Sequence, residues 1–327
     1  MTSQTPRLAV IGAGPCGIGV GIAARSAGID CTLFDKGSVA SSIGRYPTWL
    51  SFFSTAERLE LANVPFTIAG DRPTRREALR YYQTLARRFQ LDVRQYHEVI
   101  GIDGSAGCFR LRTRTHTGIV AEFYAQNVVI ATGYFDGPNR LNVPGNHLPK
   151  LRYGYAEAYP YFNQDCIVVG GGNSAVDAAL ELYRWHARVT LVHFENGLDK
   201  GVKPWVLPDI TNRIANHEIL ARFNARIAEI RPLSVMLRSE SDGAVDEIPN
   251  DWVLALTGFT PDPALLVSLG VQLDPMTGIP VHDPVTMQTN VTGVFIAGVI
   301  SAGHDANKIF IENGRDHGGR IASALLG

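Results

Sequence analysis

Two glycine-rich turns constrain the fold of this chain more than any other feature. Residues 12–17 (Gly-Ala-Gly-Pro-Cys-Gly) and 170–175 (Gly-Gly-Gly-Asn-Ser-Ala) each follow a short apolar strand and open a helical stretch. Glycines in such turns let the backbone approach a diphosphate, whose charge is held by the N–H groups at the helix N-terminus. One copy alone is weak evidence, but both copies have strand, turn, helix and second strand in order. The sequence therefore predicts an α/β chain with two Rossmann-like dinucleotide-binding domains.

The residue that ends the second strand differs between the two copies. It is Asp35 in the first copy and His193 in the second. A carboxylate accepts hydrogen bonds from free ribose hydroxyls and repels a 2′-phosphate, whereas an imidazole removes that repulsion. The second site is therefore predicted to prefer NADPH over NADH, with Lys203 adding positive charge nearby. Glu195 favours the opposite preference if its side chain turns back towards the site.

Composition excludes several classes of partner. The chain has 327 residues, 45% of them hydrophobic, a formal net charge of −1 and a sequence pI near 6.8. It is long enough for two domains with substantial cores, and its charge offers no footprint for nucleic acid or an anionic membrane. No apolar run is long enough to span a membrane, and the first six residues are too short and polar for a signal peptide. We therefore expect a cytoplasmic protein with a small-molecule partner.

Two further strands end in glycine. Residues 127–131 run into Thr132 and Gly133, and residues 293–297 run into Gly298. Strand ends of this kind bring backbone close to a cofactor. Together with the two turns, their order along the chain resembles the flavoproteins that have two dinucleotide-binding domains. This resemblance implies that the first turn binds FAD and that the second, in an inserted domain, binds the nicotinamide cofactor.

Glycine- and proline-rich crossings flank the second turn at residues 133–138 and 256–263. We therefore predict an FAD-binding domain of residues 1–136 and 258–327, and an NADPH-binding domain of residues 137–257. Too few residues follow for the further dimerisation domain of glutathione-reductase-like enzymes. The expected architecture is thioredoxin-reductase-like.

The cysteines separate members of that group. Cys16, Cys31, Cys108 and Cys166 are too far apart in sequence to form a C-x-x-C dithiol. Low-molecular-weight thioredoxin reductases carry such a pair just before the second turn, where residues 153–159 here contain no cysteine. Flavin monooxygenases carry an F-x-G-x-x-x-H signature in the same region, and this segment lacks it. The sequence therefore disfavours both classes, without removing the monooxygenase.

Further motifs run along the whole chain. They lie at residues 12–17, 46–47, 52–54, 63–66, 158–162, 203–205, 297–299, 305–307 and 309–314. In these motifs, above all the cysteine inside the first glycine turn, the chain resembles the bacillithiol disulfide reductase family of the YpdA or Bdr type. The resemblance implies an FAD enzyme that takes hydride from NADPH and reduces a low-molecular-weight thiol disulfide. One departure is Phe194, where relatives tend to carry an arginine.

Other functions remain open at this point. A ferredoxin or flavodoxin–NADP reductase also needs no cysteines, and a non-catalytic flavin redox sensor would bind FAD without turning over NADPH. The sequence does not fix the oligomeric state, so a homo-oligomer also remains open. No histidine and cysteine spacing indicates a metal site.

The predicted site residues follow from these motifs. Cys16 is the candidate catalytic residue, because the helix dipole favours its thiolate, although a nearby diphosphate opposes this and simple packing is the alternative. For FAD we predict Gly12, Gly14, Pro15, Cys16, Gly17, Asp35, Lys36, Tyr46, Phe53, Thr132, Gly133, Gly298, Asp305, Asn307 and Ile309. For NADPH we predict Gly170, Gly171, Gly172, Asn173, Ser174, His193 and Lys203.

Overall fold

The chain forms two compact units. A computed structural model describes residues 8–305 and 308–327. The first unit contains the chain up to Arg45, Leu50–Gly137 and the chain from Phe259 onwards, and the second contains Tyr46–Trp49 and Pro138–Gly258. The backbone therefore passes from one unit to the other at Gly137, returns after Gly258, and makes one short excursion at residues 46–49.

Both units combine helices with strands, and each also contains a run of consecutive strands, at residues 92–130 in the first unit and 220–255 in the second. The strands are β1 Leu8–Ile11, β2 Cys31–Asp35, β3 Asp92–Gln95, β4 His97–Ser105, β5 Cys108–Thr115, β6 Val120–Ala125, β7 Asn127–Ile130, β8 Leu151–Arg152, β9 Asp165–Val169, β10 Arg188–Val192, β11 Leu220–Arg222, β12 Ala225–Ile230, β13 Ser234–Ser239, β14 Val245–Pro249, β15 Trp252–Ala255 and β16 Val294–Ile296. The α-helices are α1 Pro15–Ser26, α2 Ser41–Gly44, α3 Arg75–Arg88, α4 Asn173–Arg184, α5 Leu207–Ala215, α6 Ala264–Ser268, α7 Ile311–Gly314 and α8 His317–Leu326.

The first unit is built on a parallel sheet. Its five strands lie in the order β16-β7-β1-β2-β3, and β4, β5 and β6 form a separate antiparallel sheet. The central strands β1 and β7 are apolar without alternation and almost fully buried, as expected for a parallel sheet covered on both faces. Helix α1 starts at Pro15, whose fixed φ suits the first helical position.

The second unit repeats this plan. Its parallel sheet has the order β11-β10-β9-β15-β8, and β12, β13 and β14 form an antiparallel sheet. Strand β9 leads into helix α4, which leads into β10, as β1, α1 and β2 do in the first unit. The predicted fold, two Rossmann-like units in one α/β chain, is confirmed. Over the described residues, no helix is both long and apolar enough to cross a bilayer.

Candidate active site and cofactor sites

The first glycine turn is shaped by close backbone approaches. Gly12 has φ +112°, and a Cβ there would lie 2.3 Å from the carbonyl oxygen of Ala131 at the end of the neighbouring strand β7. A Cβ on Gly17 would lie 1.9 Å from the carbonyl oxygen of Gly12. Gly14, which caps α1, instead faces open space, with nothing within 4 Å of an added Cβ. The turn is therefore closed towards the sheet and open at the helix N-terminus, the arrangement that admits a diphosphate.

Asp35 ends β2 beside this turn. Its carboxylate accepts hydrogen bonds from the backbone N–H of Ala13 and of Gly37, both at 2.8 Å, and from the Ser41 hydroxyl at 3.1 Å. These bonds fix the carboxylate at the strand end. The next residue, Lys36, forms an ion pair with Asp136 at 3.0 Å.

A cavity of about 370 Å³ opens beside Lys36. The other residues that line it are Tyr96, Glu98, Arg114, Thr115, His116 and Gly118. The backbone N–H of Tyr96 donates to the carbonyl of Gly37, so this wall is tied to the loop that follows Asp35. The cavity thus adjoins the acid predicted to contact a ribose.

Two strand ends are predicted to approach a cofactor, one at Thr132 and one at Gly298. In the part of the chain that the structure describes, the first has a hydroxyl without a hydrogen-bond partner, and the second is hydrogen-bonded to a histidine. The Thr132 hydroxyl is buried, and among the described residues it has no hydrogen-bond partner. Gly133 and Gly298 both have positive φ, +74° and +76°. The N–H of Gly298 donates to Nδ1 of the buried His317 at 3.1 Å, and burial lowers the pKa of this histidine to about 4. The sequence favours a hydrogen-bonded structural role for His317 but does not identify its partner, because nothing local links it to Gly298.

Cys16 lies in the first turn of α1, with its sulfur between two glycines from distant parts of the chain. A Cβ on Gly298 would lie 2.9 Å from the sulfur, and one on Gly314 would lie 2.8 Å from it. Burial, and after it the negative charge of Glu312, raises the pKa of Cys16 to about 12. The Ser54 hydroxyl donates to Glu312 and holds that carboxylate. The expected influence of the helix dipole is thus outweighed by burial, and the sulfur is a neutral thiol at pH 7.

The remaining predicted FAD residues lie in several separate segments of the chain. Phe53 is exposed in the first unit, and Asp305 lies 3.8 Å from Lys308 in an exposed ion pair. The Ile309 side chain lies near Gly314. Tyr46 belongs to the excursion of residues 46–49 into the second unit. Asn307 lies outside the described residues.

The second glycine turn repeats the packing of the first. Gly170 has φ +137°, and a Cβ there would lie 2.4 Å from the carbonyl oxygen of Leu256, which follows β15. A Cβ on Gly171 would lie 2.5 Å from the ring of His193. This ring is 4% exposed, and within the described chain neither of its nitrogens has a hydrogen-bond partner. A buried imidazole without a hydrogen bond to the described residues therefore packs directly on the turn, with Oδ1 of Asp199 3.1 Å from its Nε2.

An arginine on another strand packs on Phe194, the residue after His193. The guanidinium of Arg226, on β12, lies 4.4 Å from the centre of the Phe194 ring and 3.0 Å from Glu240. Such stacking holds a cation over an aromatic face. A positive charge thus lies beside Phe194, although the residue at that position is not itself an arginine.

The loop after β10 covers the helix end of the second turn. A Cβ on Gly172 would lie 2.9 Å from Oδ2 of Asp199. Asn173 donates to the carbonyl of Gly201 at 2.9 Å and accepts from the N–H of Lys203 at 2.8 Å. The Lys203 ammonium forms a nearly buried ion pair with Asp177 at 2.6 Å. Of the predicted NADPH residues, Ser174 is exposed in the first turn of α4.

All four cysteines are free. Cys31 lies on β2, Cys108 on β5 and Cys166 on β9, so Cys16 is the cysteine that lies at a glycine turn. The chain therefore has no disulfide relay of its own.

Comparisons with known proteins agree with this geometry. A family model described as pyridine nucleotide-disulphide oxidoreductase matches residues 9–298. The chain belongs to this family. It is 42% identical over 320 residues to the bacilliredoxin reductase Bdr of Bacillus subtilis strain 168, covering 97% of this chain and 96% of that protein.

Solved structures place the chain within the family. The bacillithiol disulfide reductase Bdr (YpdA) from Bacillus cereus matches with a TM-score of 0.95 and 39% identity, over 98% of this chain and 99% of that one. The thioredoxin reductase of T. acidophilum matches with a TM-score of 0.77 over 99% of this chain and 98% of that one; at 21% identity it shares the fold. The resemblance to the Bdr (YpdA) type is confirmed, as is the thioredoxin-reductase-like architecture.

The family makes this chain a flavin-dependent oxidoreductase that uses a pyridine nucleotide, and the residues present fit FAD and NADPH. The unpaired Thr132 hydroxyl and the open face of Gly14 suit FAD at the first turn. The unpaired His193 ring suits a nucleotide at the second. Buried polar groups normally have partners, so the Thr132 hydroxyl and the His193 ring each have room for a hydrogen bond to a bound cofactor.

Proposed function

We propose that this protein uses NADPH to reduce a low-molecular-weight thiol disulfide, with FAD at the first glycine turn and NADPH at the second. The observation that carries the proposal is the pairing of two dinucleotide turns with four free cysteines, one of them at the FAD turn. Because the chain has no dithiol of its own, electrons have to reach the disulfide substrate without passing through an internal relay disulfide.

The proposed residues have distinct tasks. When bound, FAD would supply the two-electron chemistry that couples NADPH to the disulfide, with the balance that NADPH, a proton and RSSR give NADP⁺ and two RSH. Gly12, Gly14 and Gly17 shape the turn, and the N-terminus of α1 holds the diphosphate. The carboxylate of Asp35 lies at the strand end where ribose hydroxyls bind.

The preference for NADPH rests on the second turn. His193 carries no negative charge to repel a 2′-phosphate, and the guanidinium of Arg226 lies over the neighbouring ring of Phe194. Arginine is well suited to phosphate recognition because its planar donors pair with phosphate oxygens. In this proposal Arg226 provides the charge that relatives tend to place at position 194.

Cys16 is the proposed catalytic residue, as the thiol in contact with the FAD turn. Because its pKa is raised to about 12, Cys16 is a protonated thiol and has to lose its proton before its sulfur can attack RSSR. The attack breaks the S–S bond of RSSR, forms a Cys16–SR mixed disulfide and releases the other half as RSH once it takes up a proton. The two electrons that NADPH would supply through FAD, with two protons, then split the mixed disulfide into the Cys16 thiol and a second RSH. The other three cysteines, Cys31, Cys108 and Cys166, are also free, which suits a reducing compartment. We therefore place the enzyme in the cytoplasm.

An anaerobic stopped-flow experiment tests the proposal. The FAD-loaded protein is mixed with NADPH or NADH, and then with bacillithiol disulfide or with a bacilliredoxin disulfide. Faster loss of flavin absorbance with NADPH and its return with bacillithiol disulfide are expected. Return with the protein disulfide alone would replace the small-molecule substrate, and return with ferredoxin or flavodoxin alone would make the protein a different reductase.

Two alanine variants separate the role of Cys16 from a general loss of a thiol. Cys16→Ala should abolish the return of flavin absorbance while leaving the reduction by NADPH intact. Cys31→Ala, a matched loss of a partly buried cysteine on β2, should leave both phases unchanged. Equal behaviour of the two variants would restrict Cys16 to a packing role.

A further inference from the structure

The two glycine turns differ in what surrounds the glycine that caps each helix. Gly14 and Gly172 hold the same place before α1 and α4, and both have extended backbone, with φ −73° and −88°. An added Cβ at Gly14 would have nothing within 4 Å, whereas one at Gly172 would lie 2.9 Å from Oδ2 of Asp199. The space that is open in the first turn is therefore filled by a carboxylate in the second.

That carboxylate lies where a helix attracts an anion. The N-terminus of a helix carries a positive partial charge and unpaired N–H groups, and neither α1 nor α4 has an acidic residue in its own first turn. Asp199 brings a carboxylate to α4 from the loop after β10. A dinucleotide's diphosphate binds at this same end, and two anions cannot share it.

The same side chain also faces the predicted ribose partner. Oδ1 of Asp199 lies 3.1 Å from Nε2 of His193, without the alignment of a hydrogen bond, so this imidazole keeps its unpaired nitrogens. A carboxylate oxygen of Glu195 lies within 4.8 Å of a carboxylate oxygen of Asp199 and of a ring nitrogen of His193, and adds a second negative charge. One carboxylate thus covers both parts of the turn that are assigned to the nucleotide.

Tethers hold the loop in this position. The N–H of Asp199 donates to the carbonyl of Gly171 at 3.1 Å. At the other end of residues 199–203, Lys203 is bound to Asn173 through its backbone and to Asp177 through its ammonium, at 2.8 and 2.6 Å. Because both Lys203 and Asp177 are largely buried, this ion pair is shielded from solvent.

We infer that Asp199 limits pyridine nucleotide binding, by acting as an internal anion at the N-terminus of α4 that the diphosphate has to displace. The inference rests on the proposed function, since it takes the second turn as the nucleotide site. When binding requires the less populated arrangement of a loop, apparent affinity falls by the fraction of molecules in that arrangement. Removing the charge of Asp199 therefore strengthens binding, the reverse of what removing a ligand contact does.

Equilibrium binding to the full-length, FAD-loaded protein tests the inference without turnover. Isothermal titration calorimetry measures the Kd of NADP⁺ and of NAD⁺ for wild type, Asp199→Asn and Asp199→Ala, with EDTA present so that no cation neutralises the carboxylates. The matched control is Asp246→Asn, an exposed carboxylate on β14 of the same unit. We expect both Asp199 variants to bind both nucleotides about tenfold more tightly, a change of about 1.4 kcal/mol, and the control to match wild type.

The other outcomes overturn the inference in different ways. Unchanged affinity would show that Asp199 does not compete with the nucleotide, and weaker affinity would make it a direct ligand. Tightening of NADP⁺ without NAD⁺ would place the carboxylate beside the 2′-phosphate instead of the diphosphate. If no protein in the set binds either nucleotide while circular dichroism and flavin content stay normal, the proposed function itself fails, and the inference with it.

Discussion

The buried His317 makes the stability of the first unit depend on pH. The N–H of Gly298 donates to its Nδ1, a bond that requires this nitrogen to be unprotonated. Burial, assisted by the positive charges of Arg320 and His282, lowers the pKa of His317 from 6.5 to about 4. Since the unfolded chain binds a proton at a higher pH than the folded chain does, stability is complete above pH 6.5 and falls as the pH drops towards 4.

The size of the effect follows from these two pKa values. Integrating the linkage relation from pH 7.5 to pH 5.0 gives a loss of about 2 kcal/mol in the free energy of unfolding, and the limit below pH 4 is about 3.4 kcal/mol. His317→Asn keeps an acceptor near the position of Nδ1 but cannot be protonated in this range. Its stability should therefore fall by about 2 kcal/mol less than that of wild type over this interval.

Urea unfolding at the two pH values measures this difference. Circular dichroism is the suitable signal, because Trp49, Trp185, Trp205 and Trp252 all lie in the second unit and tryptophan fluorescence would not report on the first. His304→Asn, which removes an exposed histidine of the first unit, is the control and should keep the pH dependence of wild type. The reasoning is refuted if wild type and His317→Asn lose equal stability between pH 7.5 and 5.0.

Three further predictions concern a glycine, a thiol and a buried ammonium. Gly298→Ala should lower the free energy of unfolding by about 3 kcal/mol, because of its φ of +76° and the overlap of the new Cβ with the Cys16 sulfur. Gly28→Ala, with φ +70° and open space around the new Cβ, should lower it by about 1 kcal/mol. Equal losses in urea unfolding would show that the overlap is relieved at no cost. The raised pKa of Cys16, about 12, keeps its thiol protonated at pH 7.5, so iodoacetamide should label it far more slowly than the exposed Cys108, with a rate that rises about tenfold per pH unit. Comparable labelling of the two cysteines in peptide mass spectrometry would contradict this. Lys150→Met should destabilise the second unit by about 3 kcal/mol, because the three N–H groups of the buried ammonium are shared among three backbone carbonyls and one side-chain amide oxygen. A loss below 1 kcal/mol in tryptophan-monitored unfolding would count against that reason.

Local chemistry explains which features could be predicted from the sequence. Strand β1, the turn at residues 12–17 and helix α1 follow one another as predicted, because a buried apolar run, glycines and Pro15 act on their immediate neighbours. The raised pKa of Cys16 could not be predicted in the same way. Its causes are burial, to which the close approach of Gly298 and Gly314 contributes, and the charge of Glu312; all three residues reach the sulfur through the tertiary fold and have no fixed spacing from it in sequence.

The same limit applies to the second site. The prediction for His193 rests on the local order of turn, helix and strand, and the fold does bring its ring onto Gly171. Asp199 lies in a loop whose course depends on the Lys203–Asp177 ion pair and on the side chain of Asn173. Nothing in the loop's composition indicates that its carboxylate would cover a helix end.

The short excursion at residues 46–49 affects how the protein can be divided. The second unit contains this segment as well as Pro138–Gly258, and within it the Trp49 indole donates to Glu181 while the Thr48 N–H donates to the carbonyl of Ala156. A fragment that begins at 138 and ends at 258 would lose both donors and leave a half-buried carboxylate short of one partner. A separately expressed second unit therefore needs residues 46–49 as well as residues 138–258. A protease that cut the chain only near Gly137 and Gly258 would release a unit without that segment.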